Sequence, residues 1–384
     1  MLVCDYSLSY LGGAQTALIR QAEALADQGW HVVVVAPGAE DALRRAGVSN
    51  VIAESVAFRF VLPVLGLPML APRPELTRML EELVVEYAIT GIVIHSEFAL
   101  AAAALECGRS RGIPVLHTVH TFFWRAPAVL SPLAPIVRRV HTRVTGLSSE
   151  REYTASTPIN NALREMTLRV ALRADMVVSP SLHQAESLRA AGVPVVRALS
   201  NVSEALGIDT EHGPGPLTLV WAGRFAPEKR IDVALGAMRI VRRQLGPGYV
   251  HLHVAGGSHR PEHDVTFHGR VATSRVSELI TRSDAVLLTS LGFDNQPMIA
   301  LEAFTRGTPV IVSDPVLGIE FGEAAILASG TDAAGLAATI IEAAADRDLL
   351  ADAGARALAY ATSRQSGSHA AELKAALTAA APRS

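Results

Sequence analysis

The chain of 384 residues has only two cysteines, Cys4 and Cys107, far apart in sequence. Two thiols so separated make no metal-binding or redox spacing and no disulfide scaffold, and they suit a reducing cytoplasm. Long apolar runs are missing too. No stretch of 18 apolar residues occurs, and the richest candidate, residues 60–70, is broken by Pro63, Gly66 and Pro68, so no transmembrane helix is expected. A dominant charge is absent: the net value is −3, which gives no basic field to draw nucleic acid. Lysines are few beside the arginines. The first residues enter an acid-containing strand directly, with no basic region and cleavage site, so no signal peptide is expected. A G-x-G-x-x-G fingerprint and an Asp-x-Asp metal cluster are both lacking, so neither a dinucleotide loop nor a metal site is declared.

What is present is ample apolar content, 49% of the residues, enough for two full cores in a chain long enough for two or three domains. Short apolar runs alternate with amphipathic stretches along both halves. In the first half, strands are expected at 2–5, 31–36, 51–53, 91–95, 115–118 and 176–179, with helices between them. Residues 58–74 read as an apolar, proline-rich loop, either a packed connection or an acceptor or membrane-surface contact. Residues 125–146 carry Arg138, Arg139, His141 and Arg143 among apolar residues. They read as a solvated helix face or as a basic amphipathic helix meeting a phosphorylated or membrane-borne acceptor. Residues 209–216 read as a linker. Strands at 217–222, 250–254, 265–268, 285–288 and 310–312 follow, then a loop after Asp314, a strand near 325–327 and helices to the end. Alternating β and α elements in both halves predict two α/β/α domains facing across a cleft, 1–205 and 206–384, with the terminal helix free to return to the first.

The most organised stretch is 287–314, read as strand, loop, helix, tight turn and strand. Pro297 suits the first helical position, and the helix N-terminus then leaves the end of a parallel sheet, where anions bind. Asp294 lies in the loop. Glu302 lies about five residues into the helix, roughly 7–8 Å along its axis, about the span from a diphosphate to a ribose. Taken alone, such a glutamate is a solvated face residue. A second strand end carries Gly223 and Arg224, followed by Pro227, Glu228 and Lys229 before a helix. Two cations converging on one diphosphate would offset the charge that builds on a leaving group. Gly12-Gly13 precede the first helix and permit close backbone approach. His120 stands just past the strand 115–118, whereas His117 lies inside it, and ligands of open α/β sheets bind beyond such strand ends.

Together these segments resemble the retaining GT-B glycosyltransferases of the group-1, family 4 type, strongly over 217–314 and moderately over 1–36 and 113–123. Leu301-Glu302-Ala303, Gly307-Thr308-Pro309-Val310 and Ser313-Asp314 match the family's acid–seven–acid motif, with Asp294 where the first acid is usually Glu. Gly223-Arg224 and Pro227-Glu228-Lys229 match its donor-phosphate motif, with Arg230 where Gly is usual. Asn201 resembles the family's interdomain asparagine. The resemblance implies two Rossmann-like domains and transfer of a hexose from a nucleotide diphosphate sugar, UDP- or GDP-linked, with retention. It implies that Arg224 and Lys229 hold the diphosphate, Asp294 the sugar hydroxyls and Glu302 the ribose. His120 would meet the sugar near its reacting carbon, and Gly12 and Gly13 would close the donor site from the other domain. Gly223, Gly256, Gly269, Arg270, Asn295, Gln296, Pro297, Met298 and Ile299 would complete the donor contacts. Side-chain cations would replace a metal, with no cofactor beyond the donor. The acceptor would be a glycan, a lipid-linked sugar or a small molecule, and the place cytoplasmic, with peripheral membrane contact open. Rival readings are a GT-B epimerase or phosphorylase, a non-catalytic sugar-nucleotide-binding protein and, more distantly, a nicotinamide oxidoreductase.

Overall fold

Valine- and isoleucine-rich runs become buried parallel strands, and the alanine-rich segments between them become helices. In this computed structural model the described residues are 1–9, 12–57, 60–62, 67–70, 73–148, 153–154, 156–202, 215–364 and 366–381. The chain divides into two compact units, Met1–Val202 with Ser366–Ser384, and Ser203–Gln365. The linker expected at 209–216 lies, through residue 214, outside the described residues.

In the first unit the elements run β1 (Leu2–Val3), α1 (Gly13–Asp27), β2 (Val33–Ala36), α2 (Ala39–Arg45), β3 (Ile52–Ser55), β4 (Phe60–Leu62), β5 (Leu67–Met69), α3 (Arg73–Glu86), β6 (Ile92–Ile94), α4 (Ala99–Arg111), β7 (Val115–Thr118), α5 (Ala134–Thr145), α6 (Pro158–Ala171), β8 (Met176–Ser179), α7 (Leu182–Ala190) and β9 (Val196–Ala198). Seven strands form one parallel sheet in the order β3-β2-β1-β6-β7-β8-β9. Leu2 pairs with Val34 on one side and Val93 on the other, so chain order reverses at β1. Every residue of β2, β6, β7 and β8 is buried, as expected of strands covered on both faces. The segment 58–74, read as a loop, contains two antiparallel strands, β4 and β5, in which Phe60 pairs with Met69; residues 58–59, 63–66 and 71–72 of it lie outside the described residues. Its short strands held too few residues to show an alternating pattern.

Asp5, just past β1, fixes the neighbouring helix. Its carboxylate accepts from Ser96 Oγ (2.7 Å) and from the backbone N–H groups of Phe98, Leu100 and Ala101. Helix α4 has no side-chain cap of its own, so a carboxylate from another strand satisfies its orphan donors.

The second unit runs β10 (Leu217–Ala222), α8 (Ile231–Leu245), β11 (Val250–Ala255), β12 (Val265–Gly269), α9 (Thr273–Thr281), β13 (Ala285–Leu288), α10 (Met298–Phe304), β14 (Val310–Val312), α11 (Pro315–Phe321), β15 (Ala325–Leu327), α12 (Ala333–Ala345) and α13 (Arg347–Thr362). Its six parallel strands lie in the order β12-β11-β10-β13-β14-β15. Numbered within the unit this is 3-2-1-4-5-6, the doubly wound order whose reversal falls between β10 and β13. The loop expected after Asp314 is instead helix α11. Asp314 Oδ1 accepts the Val316 N–H (2.9 Å) and Pro315 follows at the first helical position, a start signal present in the sequence.

The last helix, α14 (Ser366–Ala380), belongs to the first unit although it follows the second in the chain. Its buried Ala370, Leu373 and Ala376 join a core with Leu2, Leu18, Leu25 and Val34.

Candidate active site

In the second unit, the turn after β10 and the loop after β13 meet at the strand-order reversal. Pro227–Lys229 form a single 3-10 turn. From it the Lys229 ammonium reaches Asp294, with Nζ 2.5 Å from Oδ1 and 2.8 Å from Oδ2. Their side chains are 23% and 10% exposed, so the attraction is weakly screened. Nζ also lies 5.7 Å from the centre of the Phe293 ring, within cation–π range. Thr289 fixes the backbone of this lysine: its hydroxyl donates to the Lys229 carbonyl (2.7 Å) and accepts the Trp221 indole N–H (2.9 Å). The loop is held from the other side by Asp314, whose Oδ2 accepts the Gly292 N–H at 2.6 Å. Trp221, Thr289, Phe293 and Asp314 were absent from the expected site. The signal for Trp221 was its indole N–H in an otherwise apolar strand, since a buried indole finds an acceptor.

The structure brings other expected residues together along the carboxyl ends of β10, β11 and β12. The Gly223 N–H donates to the Ala255 carbonyl (3.0 Å) and the Gly256 N–H to that of Gly269 (2.7 Å). A Cβ on Gly256 would lie 1.9 Å from the Gly223 carbonyl oxygen, and its φ is +123°, so only glycine fits. Arg270 is exposed just beyond this row. Arg230 has φ +50°, a left-handed position that explains the glycine usual there in the resembling family.

Other placements differ from the expectation. Lys229 and Asp294, assigned to different parts of a donor, are paired with each other. Arg224 is 70% exposed, and its guanidinium pairs with Glu228 at 3.1 Å. Pro297 is not the first helical residue but the N-cap, with ψ 125°, and its carbonyl accepts the Ala300 N–H. Proline's fixed φ suits either position, and ψ decides. Met298 and Ile299 therefore open a helix of seven residues. Asn295 and Gln296 are buried, Gln296 within 3.5 Å of the Tyr360 hydroxyl. Glu302 is half-buried in α10, and its carbonyl accepts from Arg306. Buried Ser290 and Ser313, at the ends of β13 and β14, hold hydroxyl oxygens with no partner among the described residues.

In the first unit, His120 follows β7 and its Nε2 lies 2.8 Å from His95 Nδ1. Burial pushes the His120 imidazole down to about 4 and that of His117, fully enclosed in β7, to about 3, because a low-dielectric site disfavours the cation. Both are neutral at pH 7. His95 was missed, although Ile-Val-Ile-His repeats the pattern of a histidine at a strand end. Gly12 is extended, and its N–H donates to Gln15 Oε1 at 3.2 Å. A Cβ on Gly13 would meet nothing within 4 Å, so the folded chain alone does not demand that glycine. Among the described residues, no group of three or more His, Cys, Asp or Glu is arranged to hold a metal ion.

Comparison with known families places this arrangement. The model of Glycosyltransferase Family 4 matches residues 11–212, and that of Glycosyl transferases group 1 matches residues 216–346.

The chain belongs to Glycosyltransferase Family 4.

As a family 4 glycosyltransferase it has the GT-B class of fold, with two Rossmann-like α/β domains. No curated protein matches its sequence. Solved structures share the fold at low identity. Anabaena Alr3699/HepE in complex with UDP is 17% identical at a TM-score of 0.69, covering 98% of this chain and 99% of that one. A glycosyltransferase from Rickettsia africae is 11% identical at 0.66, covering 100% and 99%. S. aureus TarM, in complex with Fondaparinux, alpha-GlcNAc-glycerol and UDP, is 14% identical at 0.60, covering 83% of this chain and 61% of TarM. For this family 4 glycosyltransferase, the two motifs that carried the resemblance are the two segments joined by the Lys229–Asp294 pair.

Proposed function

We propose that the protein transfers a hexosyl group from a nucleotide diphosphate sugar, UDP- or GDP-linked, to an acceptor, with retention of anomeric configuration. The observation that carries the reading is the Lys229–Asp294 pair at the strand-order reversal of the second unit, where open α/β sheets take their ligands. Lys229 is held from behind by Thr289 and supplies positive charge to the diphosphate as the glycosidic bond breaks. Arg224, whose side chain is exposed beside Glu228, supplies more. Such charge stabilises the leaving diphosphate where a metal otherwise would. Asp294 orients the ammonium and accepts from sugar hydroxyls, and Glu302 accepts from the ribose. The row Gly223, Gly256 and Gly269 lies against the nucleoside, with Arg270, Asn295 and Gln296 nearby and the N–H groups of Met298 and Ile299 beside the phosphates. In the first unit, His120, Gly12 and Gly13 meet the sugar. No resident cofactor or metal takes part, and the enzyme works in the cytoplasm, which two buried free thiols suit.

The test is thermal stability with UDP, GDP, ADP and their hexose conjugates, for the wild type and for Arg224→Ala, Lys229→Ala and Glu302→Ala. A ligand at a hundred times its dissociation constant adds about 2.7 kcal/mol, several degrees of shift. One base class should stabilise the wild type and lose its effect in the folded variants. No shift with any nucleotide would sink the reading. Binding without turnover across glycan, lipid-linked and small acceptors would leave a sugar-nucleotide-binding protein. The anomeric configuration of the product, read by NMR, tests retention.

The acceptor side includes, in this proposal, an anionic membrane surface. A 3-10 turn (Ala128–Leu133) and α5 expose Val129, Leu133, Ile136 and Val140, at 80%, 44%, 58% and 42%, with Arg125, Arg139 and Arg143 exposed beside them. No acidic residue occurs from 107 to 149, so charge complementarity favours anionic headgroups over a neutral partner. The solvated alternative fails to explain five apolar side chains left in water, these four and Leu130 at 39%. Co-sedimentation with vesicles of anionic lipid should retain the protein, and Ile136→Glu with Val140→Glu should release it. Equal binding to neutral vesicles, or a dimer through this face in sedimentation analysis, would overturn this part.

A further inference from the structure

Lys229 and Asp294 both rise from anchored backbone. The Thr289 hydroxyl donates to the Lys229 carbonyl at 2.7 Å. That hydroxyl is itself oriented by the Trp221 indole N–H, which only donates. The Asp294 loop is pinned two residues earlier, where Gly292, with φ +60°, donates its N–H to Asp314 Oδ2. Between these anchors Nζ meets Oδ1 at 2.5 Å and Oδ2 at 2.8 Å, and the Phe293 ring centre lies 5.7 Å from Nζ. A group arriving at the turn after β10 therefore meets a cation already joined to an anion.

An ammonium has three N–H donors. Two are matched by the oxygens of Asp294, which leaves one for a phosphate. A phosphate oxygen accepting it lies about 4–5 Å from the carboxylate. The lysine attracts that oxygen and the aspartate repels it. With the Asp294 side chain only 10% exposed, the repulsion is weakly screened. Its size depends on what the distal phosphate carries. In a nucleotide sugar that phosphate is esterified on both sides and has one negative charge, and the sugar brings hydroxyl donors to a carboxylate that only accepts. In the nucleoside diphosphate left after transfer the phosphate is terminal, bears close to two charges near pH 7, and brings no sugar hydroxyl to the carboxylate.

We infer that Asp294 discriminates against the spent nucleoside diphosphate in favour of the sugar conjugate, and so hastens product release. This rests on the function proposed above, which takes the distal phosphate to Lys229 and the sugar to Asp294. The acid that accepts the sugar hydroxyls repels the phosphate once the sugar has left. An amide in its place leaves Lys229 an uncompensated cation, which holds the more highly charged product more tightly. One added charge at such a distance, in a partly screened site, corresponds to about tenfold in affinity.

The test is calorimetric titration of the full chain with UDP, UDP-hexose, GDP and GDP-hexose, in the wild type, Asp294→Asn and Asp294→Glu. The quantity read is the dissociation constant of the diphosphate divided by that of its conjugate, for the base class that binds. Asp294→Asn should tighten the diphosphate about tenfold. It should leave the conjugate no tighter, because relief at the phosphate is offset by the lost charge-assisted bonds from the sugar. The ratio therefore falls, and the gain shrinks in high salt. Asp294→Glu keeps the charge and should keep the wild-type ratio. If Asp294→Asn does not fold, Asp294→Ser, also neutral, carries the test. A merely structural pair moves both ligands together, so an unchanged ratio in a folded neutral variant would overturn the inference alone. Failure of all four ligands to bind the wild type would sink the function reading and this inference with it.

Discussion

At the scale of single residues, the chain holds buried charge in two ways. Glu97 is 5% exposed and accepts the Tyr6 hydroxyl at 2.7 Å. Burial raises its carboxyl from 4.5 to about 7, with the Tyr6 bond opposing and Asp5 adding a little. The folded state therefore keeps a proton that the unfolded state releases above pH 4.5. Between pH 4.5 and 7 the folded chain binds more protons, so stability falls as pH rises, by about 3 kcal/mol over the window. Glu97→Gln keeps the acceptor and removes the titration. We expect it to melt with the wild type at pH 4.5 and several degrees above it at pH 8, and a gap independent of pH would contradict this. Lys229 and Asp294 solve the same problem by pairing. Lys229→Met should cost about 1–3 kcal/mol by stranding the Asp294 carboxylate, and adding Asp294→Leu should recover most of it. Urea unfolding of the two single variants and the double variant measures the coupling.

At the scale of elements, the carboxyl ends of β10 and β11 approach too closely for any side chain at Gly256. Gly256→Ala must displace the Gly223 backbone and hold a strained φ. We expect a loss of more than about 3 kcal/mol, measured by urea unfolding, against less than about 1 kcal/mol for Gly13→Ala, whose Cβ meets open space. Helix α1 and helix α14 pack together through Ala22, Leu373 and Ala376 within one core. The core of the first unit thus depends on an element at the far end of the chain.

At the scale of the whole molecule, acid sensitivity is concentrated in the first unit. His117, His120, His141 and His369 are buried there with imidazoles lowered to between about 3 and about 4. Below the unfolded value of 6.5 the unfolded chain takes up protons that the folded one refuses. Stability is therefore present above pH 6.5 and lost as pH falls toward 4. Glu97 and Asp5, whose carboxyls burial raises, act in the opposite sense over part of this range, but the four histidines together with His95, also lowered by burial, outweigh them. We expect the first unit to unfold in acid before the second. Trp30 and Trp124 lie in the first unit and Trp221 in the second. Fluorescence of a chain keeping only Trp221 should therefore change at lower pH than that of a chain keeping Trp30 and Trp124. A single coincident transition would argue against it.

The sequence by itself determined the parallel α/β architecture, because periodicity, glycine stops and valine-rich runs are local signals that need no partner. It also carried the two motifs of the second unit, since each lies within about thirty consecutive residues. The strand pair β4 and β5 and helix α11 are not legible there: the strands are too short for a pattern, and an Asp-Pro pair reads equally as a loop. Tertiary structure alone decided the pairing of Lys229 with Asp294, 65 residues apart. It alone brought Gln21 to His369, 348 residues apart, and assigned α14 to the first unit. Such contacts depend on which strands become neighbours and on which polar atoms must find partners once water is excluded. That selection is made by the packed fold as a whole, where each buried donor needs an acceptor from wherever in the chain one arrives.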